Sequence, residues 1–229
     1  MSDNTTPYKA KDYDRGVKQT IPYYETFHKE TIDLIRNYPI KVEKWLDIGG
    51  GTGGLIERAY PLFKDTLFIL GDTSQEMLKE ASSRLVSLSE NNLRILPPCF
   101  SQRLNEVLKE RVQVITAIQV HHYLSFEERI LATKQCYEAL EPGGIYITFE
   151  NIKPLSEMGI QIGLKRWGAF QEAQGKSKVE VEQHKARFNK EYYPITLLEH
   201  FEVLKQAGFT CYELFWQSYM QVGLFAVKE

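Results

Sequence analysis

A run of glycines in the first quarter of the chain constrains the fold more than any other sequence feature. Residues 44–57 read KWLDIGGGTGGLIE, in which an apolar stretch leads into five glycines within six positions and then into a helix-forming stretch. Glycine tolerates sharp turns and close approach of the backbone to a ligand, and ordering it costs conformational entropy. A strand that enters a glycine turn and then a helix directs backbone N–H groups toward a ligand. Residues 44–57 therefore predict a cofactor site rather than a ligand-free turn.

Two classes of cofactor site fit this loop. Gly49-x-Gly51-x-x-Gly54 matches the dinucleotide fingerprint, whereas Asp47-x-Gly49-x-Gly51-x-Gly53 is an acid-led glycine motif typical of S-adenosylmethionine sites. An acid on the strand just before the turn is unfavourable beside a pyrophosphate and favourable beside the ammonium group of a methionine tail. Asp47 therefore favours S-adenosylmethionine, and a nicotinamide-dependent oxidoreductase is the less favoured alternative.

Composition limits the partners that the chain can have. The 229 residues suggest one globular domain over residues 1–229, and a net charge of −2 provides no broad basic field for nucleic acid. The chain contains neither a long apolar run nor a signal-peptide pattern, and Cys99, Cys136 and Cys211 have no metal-ligand spacing. We therefore expect a reduced, cytoplasmic protein that binds small molecules, without a metal or a membrane. The oligomeric state stays open.

Strand and helix patterns alternate after the glycine loop. Capping-box sequences of the form Ser/Thr-x-x-Glu at Thr73, Ser125 and Thr196 mark the starts of helices. Apolar stretches predict strands at residues 45–48, 66–71, 93–96, 112–120 and 145–149, and a closing hairpin near 210–217 and 222–228. This order predicts an α/β fold with a doubly wound, Rossmann-like sheet.

Two segments fall outside this alternation. Residues 1–40 predict an N-terminal helical cap, in which residues 1–20 are polar and an amphipathic helix covers 23–35. Residues 151–194 contain no strand pattern and predict two helices with a break at Gly175. Because this insertion follows the fifth strand, above the strand tips, we expect a helical lid over the substrate.

Four separated motifs are similar to those of class I S-adenosylmethionine-dependent methyltransferases. They are residues 46–53, Asp72-x-Ser74-x-x-Met77-Leu78, His121-His122 and Leu140-x-Pro142-Gly143-Gly144, and the resemblance covers about residues 40–229. It implies a seven-stranded sheet of order 3-2-1-4-5-7-6 with strand 7 antiparallel, and S-adenosyl-L-methionine across the tips of strands 1 to 4. The implied activity is transfer of a methyl group to a small-molecule acceptor, whose identity stays open.

A narrower resemblance is to the carboxy-S-adenosylmethionine synthase branch, which serves tRNA wobble-uridine modification. Residues 20–24 are similar to its Ser-Val-Pro-Gly-Tyr segment, 182–187 to its basic segment, and 207–228 to its tail. This resemblance implies ligand roles for Tyr24 and Arg187, and it supplies an alternative function. The chain departs from that branch at Gly50-Gly51, where the branch has Cys-Ser, and at Thr73, where it has Asn.

Residues at the predicted strand tips are the candidates for cofactor contacts. A carboxylate at Asp72 can accept hydrogen bonds from both ribose hydroxyls, and Phe100 can lie against adenine with a backbone N–H nearby. The predicted cofactor-binding residues are Tyr24, Asp47, Gly49, Gly50, Gly51, Gly53, Asp72, Thr73, Met77, Cys99, Phe100 and Gln119.

Methyl displacement at a sulfonium requires mainly alignment of the nucleophile and exclusion of water. A hydroxyl or ammonium acceptor also benefits from a base near the tips of strands 4 and 5. His122, His121 and Glu150 are the catalytic candidates, with packing or hydrogen bonding as the alternative role for the histidines. The predicted acceptor-binding residues are Tyr13, Trp167 and Arg187.

Overall fold

The computed structural model describes residues 6–229. Its strands are β1 Lys44–Ile48, β2 Leu67–Gly71, β3 Leu93–Ile95, β4 Val112–Ile118, β5 Leu140–Asn151, β6 Cys211–Ser218 and β7 Gln221–Val227. Its α-helices are α1 Tyr13–Thr20, α2 Tyr24–Asn37, α3 Gly54–Ala59, α4 Gln75–Arg84, α5 Leu104–Val107, α6 Phe126–Ala139, α7 Glu157–Ala173, α8 Lys178–Ala186 and α9 Leu197–Ala207. Within residues 6–229, none of the helices has the length and apolar character needed to cross a membrane.

The seven strands form one sheet in the order β3-β2-β1-β4-β5-β7-β6. Strands β1 to β5 pair in parallel, and β7 runs antiparallel to both of its neighbours, β5 and β6. The predicted α/β sheet and its strand order are therefore confirmed. The strand order reverses between β1 and β4, and this reversal leaves a crevice beyond the carboxyl ends of these two strands.

Side-chain alternation along β1 divides the core into two layers. Leu46 and Ile48 pack in the layer that includes α6 and α9, whereas Trp45 packs in the layer that includes α2, α3 and α4. All three side chains are at most 1% exposed, because parallel strands covered by helices on both faces are buried throughout. The sheet is thus a rigid platform whose strand tips carry the polar residues.

Capping residues start the helices that follow the strands. The capping boxes predicted at Ser125 and Thr196 are confirmed, since each hydroxyl accepts from the third following backbone N–H. The box predicted at Thr73 is wrong, because Ser74 is the cap of α4 and accepts from the Met77 N–H at 3.1 Å. The chain stays extended for one residue more than predicted after β2.

The fifth strand is longer than the sequence pattern indicates. It covers Leu140–Asn151 instead of 145–149, and an irregular register beside Val112 and Val114 accommodates the Pro-Gly-Gly segment within the sheet. Gly144 accepts a hydrogen bond from the Lys228 N–H at 2.9 Å. Backbone pairing with the neighbouring strands, and not the Pro-Gly-Gly segment, therefore determines where β5 begins.

The N-terminal and inserted segments contact each other. The two predicted helices with a break at Gly175 are α7 and α8, whereas α1 lies in the polar stretch for which no helix was predicted. The Trp167 indole in α7 donates to the carbonyl oxygen of Thr20 at 2.5 Å, and Lys176 donates to the Tyr8 hydroxyl at 2.6 Å. These bonds join α1 to the insertion. Residues 1–5 of the predicted cap lie outside the described residues.

Replacing Thr196 by alanine removes the cap of α9. Loss of an N-cap costs about 0.5–2 kcal/mol, so we expect the melting temperature to fall by roughly 2–4 °C for each kcal/mol lost. Ser82→Ala, at an exposed position inside α4, is the matched control and should leave the melting temperature nearly unchanged. Equal melting temperatures for Thr196→Ala and Ser82→Ala, measured by calorimetry, would contradict this role of Thr196.

Candidate active site

The glycine loop folds back against the tip of β2. Gly49 and Gly51 have φ values of +67° and +55°, a backbone region that favours glycine. The Gly50 N–H donates to the Gly71 carbonyl oxygen at 3.1 Å, and the Gly51 N–H donates to Oδ2 of Asp72 at 2.9 Å. These bonds hold the tips of β1 and β2 together and leave the loop open toward the crevice.

A cavity at the tips of β1, β2 and β4, which we call the tip cavity, contains eight of the twelve predicted cofactor residues. These eight are Gly49, Gly51, Asp72, Thr73, Met77, Cys99, Phe100 and Gln119. Phe100 is 58% exposed, so its ring face is available to a planar group, as predicted for adenine. The Cys99 N–H is committed to the carbonyl oxygen of Asp72 at 3.0 Å, so the predicted backbone donor to adenine must be another N–H group.

A second cavity lies under the glycine loop, and we call it the loop cavity. Its lining includes the predicted residues Tyr24, Asp47 and Gly50, and it shares Tyr13 with the tip cavity. Gly53 is placed differently, because a Cβ on it would lie 2.8 Å from Leu85, which directly follows α4, and 3.4 Å from Ala81 of α4. Gly53 thus serves close packing of the loop on α4, and its predicted cofactor contact is not reproduced in the lining of either cavity.

Asp47 is the buried acid of the loop cavity. It is 2% exposed, and its Oδ1 accepts from the Thr116 hydroxyl at 2.7 Å, which in turn accepts from the Trp45 indole at 3.0 Å. Burial raises the pKa of Asp47 to about 7. A cationic ligand group in the loop cavity would favour the ionised carboxylate and lower this pKa.

Gln119 stands where the tip cavity meets a third cavity. Its φ is +60°, which is uncommon for a residue with a side chain and is often found at functional sites. Its Nε2 donates to the Phe149 carbonyl oxygen at 3.2 Å and to Gln221 at 2.9 Å. Its buried Oε1 has no partner among the described residues, so an acceptor atom is available between the two cavities.

The third cavity lies between the sheet and the insertion, and we call it the lid cavity. It brings together the three predicted acceptor residues and one predicted base: Tyr13, Trp167, Arg187 and His122. It shares Tyr13, Gln119 and Tyr123 with the tip cavity, so the two cavities adjoin each other. Volumes of about 50 Å³ for the lid cavity and 170 Å³ for the tip cavity indicate that only a small group fits the lid cavity.

Arg187 supplies the positive charge of the lid cavity. Its side chain is 12% exposed, and its Nε forms an ion pair with Glu191 at 2.5 Å. The guanidinium lies 6.0 Å from the ring centre of Tyr192, and Tyr123 lines the same cavity. The Tyr192 hydroxyl is buried without a partner in residues 6–229, as is Nε2 of His184 in the same cavity. The cavity is therefore suited to a small anion.

Glu150 lies behind His122. Glu150 is 1% exposed, and its carboxylate contacts His122 Nδ1 at 3.1 Å and accepts from the His121 N–H at 3.0 Å. Burial alone would raise the pKa of Glu150, but the hydrogen bond and charge of His122, with Arg129 and His121, lower it to about 2. Glu150 therefore carries a negative charge that orients His122, with His122 Nε2 as the remaining ring nitrogen.

The three predicted catalytic residues face two different cavities. His122 lines the lid cavity, whereas His121 and Glu150 line a small cavity on the other side, the rear cavity, with Arg129 and His200. The Tyr146 hydroxyl contacts His121 Nδ1 at 3.2 Å, and burial lowers the pKa of His121 to about 4. Of the three candidates for a base, His122 lines the lid cavity, and Glu150 contacts it from the rear cavity.

Sequence reasoning missed several polar residues of these cavities. Arg129 is 1% exposed, yet its Nε and Nη1 have no partner among the described residues. Tyr192 and His184 are further examples, because packing of the insertion brings them to the lid cavity. Tyr123 had a signal, since it directly follows the two histidines at the tip of β4. No cluster of three His, Cys, Asp or Glu residues suited to a metal occurs within residues 6–229.

Comparisons with known proteins agree with this geometry. The model of a family described as "Methyltransferase domain" matches residues 46–146. Carboxy-S-adenosyl-L-methionine synthase of Trichodesmium erythraeum (strain IMS101) is 23% identical over 205 residues, which cover 89% of this chain and 80% of that protein. The enzyme of the same name from Staphylococcus epidermidis is 21% identical, with coverage of 96% and 93%.

A solved structure covers nearly the whole chain. Magnesium protoporphyrin IX methyltransferase from Synechocystis PCC 6803, with bound SAH, superimposes with a TM-score of 0.63 at 16% identity, covering 96% of each chain. The chain has the class I S-adenosylmethionine-dependent methyltransferase fold. This fold implies the use of S-adenosylmethionine.

Gly51→Val should abolish binding of S-adenosylmethionine, because the Cβ position at Gly51 is open toward the cavities, with Tyr13 at 4.0 Å. Gly175→Val is the matched control, since Gly175 also has positive φ and a Cβ there meets nothing within 4 Å. Both variants should lose about 1–2 kcal/mol of stability from backbone strain. Calorimetric titration that finds both variants binding normally would remove the loop from the site.

Asp47→Asn should change the pH dependence of stability in the ligand-free protein. Because burial raises the folded-state pKa of Asp47 from 3.8 to about 7, the unfolded chain releases the proton first and stability falls as pH rises between these values. The asparagine variant lacks this loss. Between pH 4 and pH 7, the melting temperature of Asp47→Asn should therefore rise relative to that of the wild type. Above about pH 8, the difference between the two melting temperatures should be constant. A constant difference over the whole range would contradict the shifted pKa.

Proposed function

We propose that the protein is a carboxy-S-adenosyl-L-methionine synthase-like enzyme, which binds S-adenosylmethionine across the tip and loop cavities and holds a carboxylate in the lid cavity. The observation that carries this proposal is the position of Arg187, a largely buried cation in the cavity that adjoins the tip cavity. A methyl group gains nothing from a guanidinium, whereas a carboxylate forms strong charge-assisted hydrogen bonds with it.

The fit to S-adenosylmethionine follows from three parts of the chain. Asp72 lies at the tip of β2 for the ribose, and Asp47 lies in the loop cavity for the ammonium group. Between them, Tyr13 borders the tip, loop and lid cavities. When bound, the cofactor would supply a methyl group on a sulfonium sulfur, whose C–H bonds are acidified for carboxylation and whose carbon is electrophilic in methyl transfer. Its sulfur would lie near Tyr13, so that a substituent on the sulfur faces the lid cavity and Arg187.

One departure from the synthase branch lies at the other end of the site from Arg187, and the second, Thr73, lines the tip cavity. Where that branch has Cys-Ser, this chain has Gly50-Gly51, and a Cβ at Gly50 would lie 2.7 Å from Asp47 Oδ2. Glycine at this position lets the Asp47 carboxylate pack directly under the loop. This difference lies beside Asp47, in the cavity proposed to hold the amino-acid tail of the cofactor.

Methyl transfer to a small anionic acceptor is the second candidate function. The observation that favours it is the His122–Glu150 pair, because a buried carboxylate at 3.1 Å orients an imidazole whose other nitrogen can accept a proton. In this case Arg187 would hold the acceptor instead of a group on the cofactor. The two functions use the same cavities and differ in what the lid cavity contains.

The proposal includes a role for the insertion. We assign residues 151–194 as a lid and residues 1–40 as a cap of a single domain over 1–229. Trp167 joins the lid to the end of α1, and the Tyr193 N–H donates to the carbonyl oxygen of His122 at 2.7 Å. Both bonds support an insertion that closes over the lid cavity and excludes water from it.

Mass spectrometry of the ligand that copurifies with the protein tests the proposal. We expect a carboxylated S-adenosylmethionine in the wild-type protein. Arg187→Ala should retain S-adenosylmethionine and lose the carboxylated form, with at least a tenfold loss of affinity, because hydrogen bonds to charged groups contribute about 1.5–3 kcal/mol. Lys190→Ala, three residues further along and exposed, is the matched control.

Two outcomes would contradict the synthase-like proposal. Wild-type protein that carries only S-adenosylmethionine or S-adenosylhomocysteine, and that methylates a small anion, would support the second function. Equal loss of the carboxylated ligand in Arg187→Ala and Lys190→Ala would show that Arg187 does not bind the carboxylate.

A further inference from the structure

A buried histidine lines the loop cavity, and the proposed function leaves it unused. His28 lies in α2, one helical turn after Tyr24, and its ring packs edge-to-face on the Tyr24 ring with 5.2 Å between centroids. Its Cε1 lies 3.6 Å from the position of a Cβ on Gly54, at the start of α3. The imidazole therefore forms the wall of the loop cavity between α2 and the glycine loop.

We propose that His28 donates a hydrogen bond from Nδ1 to the carboxylate of the cofactor's amino-acid tail and selects for ligands that carry this carboxylate. The proposal rests on the proposed binding of S-adenosylmethionine in the tip and loop cavities. It adds a recognition residue that lies outside the glycine motif.

The hydrogen-bonding state of the loop cavity is the first argument. His28 is 6% exposed, and its Nδ1 has no partner within residues 6–229. A buried polar nitrogen without a partner costs free energy unless a ligand or a water molecule forms a hydrogen bond with it. The two acids lining the cavity already have partners, Asp47 with Thr116 and Asp14 with Thr52 and Arg84. Among the described residues, neither the Tyr13 nor the Tyr24 hydroxyl is a buried atom without a partner.

Charge distribution is the second argument. The cofactor tail carries an ammonium and a carboxylate on one carbon atom. Asp47 and Asp14 both line the loop cavity, so they attract the ammonium and repel the carboxylate. The carboxylate then requires a donor that is not an acid, and His28 is on the wall of the same cavity.

The state of the imidazole is the third argument. Burial lowers the pKa of His28 to about 4, and Arg58 contributes in the same direction. A neutral ring can carry its proton on Nδ1 and donate it in a hydrogen bond, and it does not repel the neighbouring ammonium. A permanently charged lysine or arginine at position 28 would lack this second property.

Titration with three ligands separates the parts of the tail. S-Adenosylmethionine has the ammonium and the carboxylate, decarboxylated S-adenosylmethionine has only the ammonium, and 5′-methylthioadenosine has neither. His28→Leu removes the donor, and His28→Asn restores a donor near the position of Nδ1. Isothermal titration of the full-length wild type and both variants with each ligand gives nine affinities, and thermal melts report folding.

His28→Leu should lower the affinity for S-adenosylmethionine by about tenfold or more, as expected for loss of one hydrogen bond to a charged group. It should leave decarboxylated S-adenosylmethionine and 5′-methylthioadenosine within about twofold of wild type. His28→Asn should recover most of the loss. If His28→Leu does not fold, His28→Asn provides the comparison. A ratio near one between its affinities for S-adenosylmethionine and decarboxylated S-adenosylmethionine would overturn the proposal.

Two further results would overturn the role of His28. An equal loss of affinity for S-adenosylmethionine and its decarboxylated form would indicate that His28 contacts the ammonium group. Equal weakening of all three ligands would assign it to the structure of α2. Failure of the wild type to bind S-adenosylmethionine is a different result, because it would overturn the proposed function itself, and His28 with it.

Discussion

A buried hydrogen-bond chain from Trp45 through Thr116 to Asp47 determines how the end of β1 meets the glycine loop. Trp45 donates to Thr116, and Thr116 donates to Asp47, so the first and fourth strands are joined by side chains as well as by the backbone ladder. Because Gly50 has no Cβ, the loop can pass directly over the Asp47 carboxylate. The loop cavity, and the tip cavity that adjoins it, depend on this arrangement.

Apolar stretches along the sequence predicted the α/β sheet correctly, and the family resemblance carried by four motifs implied its strand order and the antiparallel last strand. The glycine loop and the residues around Asp72 lie together in the tip cavity because strand tips set their positions within a few residues of the chain. Errors occurred where a second interaction decided the position. Ser74 replaces Thr73 as the cap of α4 because Asp72 Oδ1 accepts the Ser74 N–H at 2.8 Å, which holds the preceding residue in the loop.

Residues whose roles depend on tertiary packing could not be assigned from sequence. His121 and His122 are neighbours in the chain but face different cavities, because the chain leaves β4 in a tight turn at this point. Gly53 matches the spacing of the glycine motif, although close packing against α4 accounts for the glycine at this position. Arg129 and His28 had no local signal, since each becomes notable only when its buried, incomplete hydrogen bonding is known.

The bond between Trp167 and Thr20 has a consequence for ligand exchange. It ties the end of α1 to α7, while Tyr13 at the start of α1 borders the tip, loop and lid cavities. We therefore expect a ligand that occupies the lid cavity to depart when α1 separates from α7. The rate of this opening, and not contacts with the ligand alone, would then set its residence time. In that case the protein combines a rigid binding platform with a kinetic barrier to release.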